Sequence, residues 1–321
     1  MPSTIHPRFF PRFPVGTLGA ALLLLTPILT FAQTAPKEKT PPASGSAELR
    51  ASHAYEAARA NPLELEAFLR RMPKGADLHY HEAGGIYAET FIKDGAEDGL
   101  CVDLKTHSFA PPAPACGVGQ VGAAEALTNQ TLYDALVDSF SMRTFVPITG
   151  TNGHDRFFDT FGKFHGTSSR HSGEWLDEIA SRAAAQNEQY LEIMETPDFS
   201  HTYKIAYEVG WMDDLAKLRD ALLAAHLTDD VAVAKKDRDD AEASRQAIEH
   251  CGTPQATPAC KVKIRYIYQI LRDFPKQQVF AQTLLGFEVA TADPRFVGLT
   301  YVQPEDNTTP MADYELSLIH I

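Results

Sequence analysis

The chain has 321 residues, 44% apolar and 22% charged. That balance excludes a wholly disordered, collagenous or coiled-coil chain and leaves enough apolar mass for one large domain or two ordinary ones. Lys and Arg total 29 against 42 Asp and Glu, a net charge of −13. Such a surface repels phosphate backbones, which argues against a nucleic-acid partner and suits a neutral or cationic small molecule.

In chain order, Arg8 and Arg12 precede an apolar stretch from Val15 to Phe31, with small residues at Thr30 and Ala32. Residues 1–32 therefore read as a secretory signal peptide cleaved near Ala32. The competing reading is a membrane anchor, but the densest apolar part, Leu18 to Leu29, is shorter than the ~20 residues a spanning helix needs and contains Pro27. No later segment is apolar enough to span, so the expected location is secreted or periplasmic with no membrane contact after cleavage. Residues 33–46 are a linker too rich in Pro, Ser and charge to fold. Residues 47–71 read as a helical extension. Its second helix is opened by Asn61 as N-cap with Pro62 in the first position, and carries Leu65, Phe68 and Leu69 on one face.

A short strand is expected at Ala76–His81, ended by Gly84-Gly85. Helical patterns follow at Ile86–Lys93, Ala123–Phe140, His154–Phe164 and Gly173–Gln186, then a strand at Gln189–Met194. Helices are expected near Trp211–Ala225 and Asp229–Glu249. The second is charge-dense and poor in apolar residues, which reads as a solvated arm. A strand at Val262–Tyr268, a helix from Pro275 to about Ala290, a strand at Phe296–Val302 and a helix beginning near Pro310 complete the series. Four cysteines, Cys101, Cys116, Cys251 and Cys260, allow three pairings. The local one, Cys101–Cys116 with Cys251–Cys260, closes the shortest loops and is favoured in an oxidising compartment; four free thiols are the alternative.

Strands alternating with helices imply an α/β fold of parallel βα units. A closed (β/α)8 TIM barrel needs eight strands and usually ~250 residues. Four strands fit either a small open sheet with large insertions or the front of a barrel truncated after about four βα units. The chemistry of one motif favours the second. His79 and His81 stand at i and i+2 on a strand, so both imidazoles face one side. They sit at its C-terminal end, where βα barrels place their sites, and imidazole suits zinc, iron or nickel. In a chain with 12 histidines the spacing alone is weak, and its position at the head of a βα series carries the argument.

Met72-Pro73-Lys74-Gly75-Ala76-Asp77-Leu78-His79-Tyr80-His81 resembles the first-strand motif of adenosine deaminases, and more closely their secreted, growth-factor-related branch. Ala135–Arg143, His154–Phe161, Tyr190–Met194, Arg265–Ile267, Gln278–Ala281 and Val297–Asp306 resemble later segments of that branch in the same order, so residues 72–321 correspond to the front of its barrel. The resemblance implies a zinc-dependent hydrolase of the amidohydrolase superfamily, with one Zn2+ per intact subunit. It would convert adenosine or 2′-deoxyadenosine to the inosine form and ammonia by attack of activated water at purine C6. By position His79 and His81 would be two zinc ligands. Phe157 and Phe161, at i and i+4, would wall the purine pocket, although ordinary core packing explains each as well. The backbone around Gln303 would lie near the purine. Ala83 replaces an Asp that contacts the ribose in intracellular members, and Gln303 stands where the family often has Gly. The family's remaining zinc ligands and catalytic groups are expected beyond residue 321; His320 follows a helical pattern and is not read as one of them.

Two other readings remain at this stage. The same His-x-His strand serves other amidohydrolases, including other purine deaminases and cyclic-amide hydrolases. Alternatively the chain is an extracellular interaction protein, with the helices of residues 47–71 forming a homodimer and the histidine pair incidental.

Overall fold

A computed structural model describes residues 45–111, 115–167 and 169–315. The expected signal peptide, the linker up to residue 44, part of the proline-rich loop between Cys101 and Cys116, and His320 lie outside them. Of the described residues, those up to His53 and those from Ala54 onward fall in separate units.

Helix α1 spans Gly45–Ala58 and α2 spans Pro62–Arg71. Asn61 caps α2, its side chain accepting from Leu63 N at 3.0 Å, as an Asn before an N1 proline predicts. Strand β1 is Gly75–His81, followed by the short turn α3 at Glu82–Gly85 and by α4 at Ala88–Glu97. Three short strands then form an antiparallel sheet of their own: β2 Cys101–Asp103, β3 Ser108–Ala110 and β4 Gln120–Gly122, with β2 central. These were not expected, because strands of three residues leave no periodicity to read. The helix expected over Ala123–Phe140 is broken. A 3-10 segment, Ala123–Leu127, precedes α5 at Gln130–Ser139, and Asn129 caps the latter by accepting from Leu132 N. Next come α6 at Gly153–Lys163 and α7 at Ser172–Ala185.

Strand β5 is Glu188–Glu195. An unexpected helix, α8 at Ser200–Val209, precedes α9, which starts at Leu215 rather than Trp211 because Asp214 caps it, and ends at Ala224. Helix α10 is Asp229–Ile248, β6 is Lys263–Leu271, α11 is Lys276–Ala292, β7 is Phe296–Val302 and α12 is Thr308–Ala312. The main sheet has the order β1-β5-β6-β7 with every pair parallel. Neighbours in space are therefore successive in the chain, the winding of a βα barrel rather than of a doubly wound sheet, whose order reverses at a switch point. Leu191 and Ile193 of β5 and Tyr266, Tyr268 and Ile270 of β6 have no exposed area and form the core beneath the helices.

The solvated-arm expectation for α10 is wrong. The helix packs on α7 and α11, and its buried residues are Asp230, Ala234, Arg238, Ala241 and Arg245. They recur at three- and four-residue steps and so form one face. Hydropathy misses that face because it is built from alanine and charge. Its charges are paired: Asp230 takes Thr202 Oγ1 at 2.7 Å and His201 Nδ1 at 2.6 Å from α8, and Arg245 grips Glu249 and Glu242.

Both local disulfides are present, Cys101–Cys116 and Cys251–Cys260. Among the described residues no helix is long and apolar enough to cross a membrane.

The α7–α10 crossing turns on Gly173. A β-carbon there would strike Ser244 and lie 3.1 Å from the Ala241 carbonyl oxygen. Gly173→Val should cost roughly 1–3 kcal/mol in denaturant unfolding, the usual penalty for overpacking. Stability equal to the parent would show that the crossing yields without strain.

Candidate metal and substrate site

The parallel order places the ends of all four main strands, His81, Glu195, Leu271 and Val302, on one edge of the sheet. Strand β1 carries a bulge between Asp77 and Tyr80, where Asp77 Oδ1 accepts from His79 N at 2.9 Å. Bulges re-aim side chains beside functional sites. Here the two imidazoles converge, with their Nε2 atoms 3.3 Å apart and their rings edge to face. Zn–N bonds of ~2.0–2.1 Å in a tetrahedral set put ligand nitrogens roughly 3.3–3.4 Å apart. The pair therefore fits two corners of such a set. Among the described residues no third ligand atom joins them.

His81 is half-buried and its pKa is lowered, first by burial and then by the neighbouring His79, against a raising contact from Gln269. Gln269 is a site residue that the sequence reading did not single out. It lies on β6, 7% exposed, with its amide nitrogen 3.3 Å from His81 Nδ1 and its oxygen 3.4 Å from Thr196 Oγ1. The amide can present either end. Turned over, its oxygen accepts Nδ1–H, the tautomer that frees Nε2 for a metal, while Thr196 accepts the amide N–H. The only sequence signal was an amide side chain within the otherwise uncharged run Tyr266–Leu271 of β6.

Helix α6 runs over this edge. A β-carbon at Gly84 would lie 3.5 Å from Phe161 Cζ and 3.6 Å from His81 Cβ, so Phe161 rests on the turn that follows the histidines. Phe157 packs edge-on against Phe161 at 5.3 Å and is 41% exposed. At the other end of α6, His154 Nε2 meets Asp306 Oδ1 at 3.3 Å, beyond the end of β7. Gln303 follows β7 with φ +81, backbone in the region that glycine favours. Its Oε1 accepts from Asp273 N at 2.8 Å. It shares the sheet edge with the histidines, but β1 and β7 are the outer strands, roughly 14 Å apart by strand spacing. Phe161 is thus brought to the histidine pair, while Phe157 lies one turn away and Gln303 across the sheet.

On the helix side of the sheet lies a buried cluster. Glu82, directly after His81, and Glu195, directly after Met194, flank Arg238 of α10, at 3.7 Å and 2.8 Å. The guanidinium also stacks over the Tyr266 ring at 4.6 Å. One cation between two carboxylates is neutral only when one carboxyl keeps a proton. Glu195 is accordingly pushed up to about 7, by burial first, with Arg238 opposing and Glu82 adding. Burial also raises Glu82.

No family profile and no curated protein matches the chain. Solved structures do resemble it. An amidohydrolase from Burkholderia ambifaria with bound Zn has 15% identity and a TM-score of 0.43, over 78% of this chain and 50% of that one. Arabidopsis ADAL in complex with GMP has 14% identity and a TM-score of 0.41, over 79% and 57%. The apo N6-methyl-AMP deaminase from Arabidopsis thaliana has 15% identity and a TM-score of 0.39, over 78% and 56%. The chain spans about half the length of these structures. At such identities and scores the likeness assigns it neither substrate nor activity.

A carboxyl whose pKa is higher folded than unfolded supports the fold below its unfolded value, and that support is lost as pH rises through the folded value. For Glu195 the window runs from its ordinary 4.5 to about 7. The thermal midpoint should therefore decline from about pH 5 to about pH 8, and Glu195→Gln should flatten the decline. An equally steep decline in the variant would place its origin in another group.

Proposed function

We propose that residues 72–321 form the first half of a secreted or periplasmic zinc-dependent deaminase barrel that acts on a purine nucleoside of the adenosine type. The observation that carries this reading is the His79–His81 pair, with its nitrogens 3.3 Å apart, at the C-terminal end of the first strand of a singly wound parallel sheet. The resemblance of Met72–His81 to the adenosine deaminase first strand supplies the reaction class. The two disulfides support an oxidising compartment.

His79 and His81 would hold the zinc through Nε2, and Gln269 would keep the His81 ring turned for it. Zinc bound there supplies Lewis-acid activation of water. Phe161, with Phe157 beside it, would cover the mouth and offer the purine an apolar wall, excluding bulk water. The remaining ligands and the proton-transfer groups would come from the strands that close the barrel, since two imidazoles leave a tetrahedral set half filled. Ala83, in place of the ribose-contacting Asp implied by the resemblance, favours as a second reading another purine or cyclic-amide substrate.

The 321-residue chain, supplied with zinc and adenosine, should release no ammonia. A gene product that also carries the closing strands should turn adenosine into inosine, and His81→Ala should abolish turnover and lower the bound zinc by one equivalent. Turnover by the 321-residue chain, or inertness of the longer product toward every purine nucleoside, would overturn the proposal. In the longer product Gln269→Leu should weaken zinc about 10–100-fold at unchanged stoichiometry, as loss of an outer-shell partner does. Unchanged affinity would remove Gln269 from the site.

A further inference from the structure

Between α4 and the start of α7 a buried histidine, His171, stands among carboxylates, and nothing in the deaminase reading uses it. His171 and Asp94 each have 0% exposure. His171 Nε2 faces Asp98 Oδ1 at 3.2 Å, and Arg170 holds the same oxygen at 2.7 Å. A neutral ring that donates Nε2–H to Asp98 carries its lone pair on Nδ1. Nδ1 has no hydrogen-bond partner, and neither has Asp94 Oδ1. The two atoms face each other at 3.5 Å, and Glu174 Oε1 lies 3.8 Å from Nδ1. All three ligand atoms lie within 4.8 Å of one another. Three ligand atoms thus converge, two of them buried and without a hydrogen-bond partner, although buried polar atoms are otherwise almost always satisfied.

The geometry points to a divalent-cation site, with His171 Nδ1, Asp94 Oδ1 and Glu174 Oε1 as ligands and zinc as the fitting ion. Bonds of ~2.0–2.2 Å to nitrogen and oxygen span separations like those between these atoms. One imidazole with two carboxylates is a borderline donor set suited to zinc. Asp98 supplies the carboxylate–histidine relay that fixes the tautomer of a metal-bound imidazole. Trp175 Nε1 donates to Asp94 Oδ2 at 2.7 Å, which holds that carboxylate with its other oxygen turned to the site. Lys93 takes Glu174 Oε2 at 2.8 Å and so leaves Oε1 for the ion. Half-exposed Glu174 keeps one side open to water as a fourth ligand. The other such cluster, Glu249 with Cys251 and Cys260, carries no site, because its sulfurs are spent in a disulfide. A cation here would clamp α4 to the start of α7, a structural role independent of the barrel site.

The test uses the whole chain carrying His79→Ala and His81→Ala, dialysed against Zn2+ and assayed by elemental analysis and calorimetry. One equivalent of zinc should bind and raise the thermal midpoint, and Co2+ should give a visible absorption band. Adding His171→Ala should abolish the equivalent, the midpoint rise and the band. Because His171 is buried, Glu174→Gln is the second variant: half-exposed, it should stay folded and weaken zinc at least tenfold. Asp98→Asn should weaken it about 10–100-fold without changing the stoichiometry. Absence of zinc from the double-alanine protein, or equal binding with and without His171 and Glu174, would overturn the site and leave His171 as an imidazolium among carboxylates.

Discussion

Four parallel strands that follow one another in space as they do in the chain must be joined by crossovers of one hand, and that handedness decides where chemistry can sit. Helices α7 and α11 pack on the main sheet. The core of Leu191, Ile193, Tyr266, Tyr268 and Ile270 goes with them. The opposite side of each strand is left for polar groups, and His79, His81 and Gln269 meet there. Alternation along β1 then places His81 on one side and Glu82 on the other. A single peptide unit separates the candidate metal ligand from the buried ion cluster behind it.

That cluster shows what the fold does with charge. Arg238 is 3% exposed, and a lone guanidinium at such depth would be prohibitive. It is tolerated because Glu82, just after β1, and Glu195, the last residue of β5, stand on either side of it. A buried ion pair of this kind contributes little net stability against an apolar replacement, but removal of one member leaves the others uncompensated. Its effect is therefore on register: α10 can dock with Arg238 between two strand ends and in few other ways.

The sequence disclosed elements whose burial is written in apolar side chains. Strands β5, β6 and β7 were legible from runs such as Tyr190–Met194 and Phe296–Val302, and the α2 start from Asn61-Pro62. The histidine pair was legible because alternation on a strand is a two-residue rule. What stayed hidden depends on partners distant in the chain. Gln269 acquires meaning only beside His81, 188 residues earlier. The buried face of α10 looks solvated until Glu82 and Glu195 are placed against it. The break before α5 required the choice of Asn129 as a cap over helix continuation, a competition between local options that composition does not resolve. The small sheet of β2, β3 and β4 was too short to announce itself.

The two disulfides close loops with sequence separations of only 15 and 9. Neither joins elements brought together by the main sheet. In an oxidising environment each can form without waiting for β5, β6 and β7 to find β1. Such bridges ask for no shuffling among distant thiols, and their loop-closure cost is met early and locally. The slow step of oxidative folding is then separated from the slow step of sheet assembly. The covalent links of this chain are thus decided by neighbourhood alone.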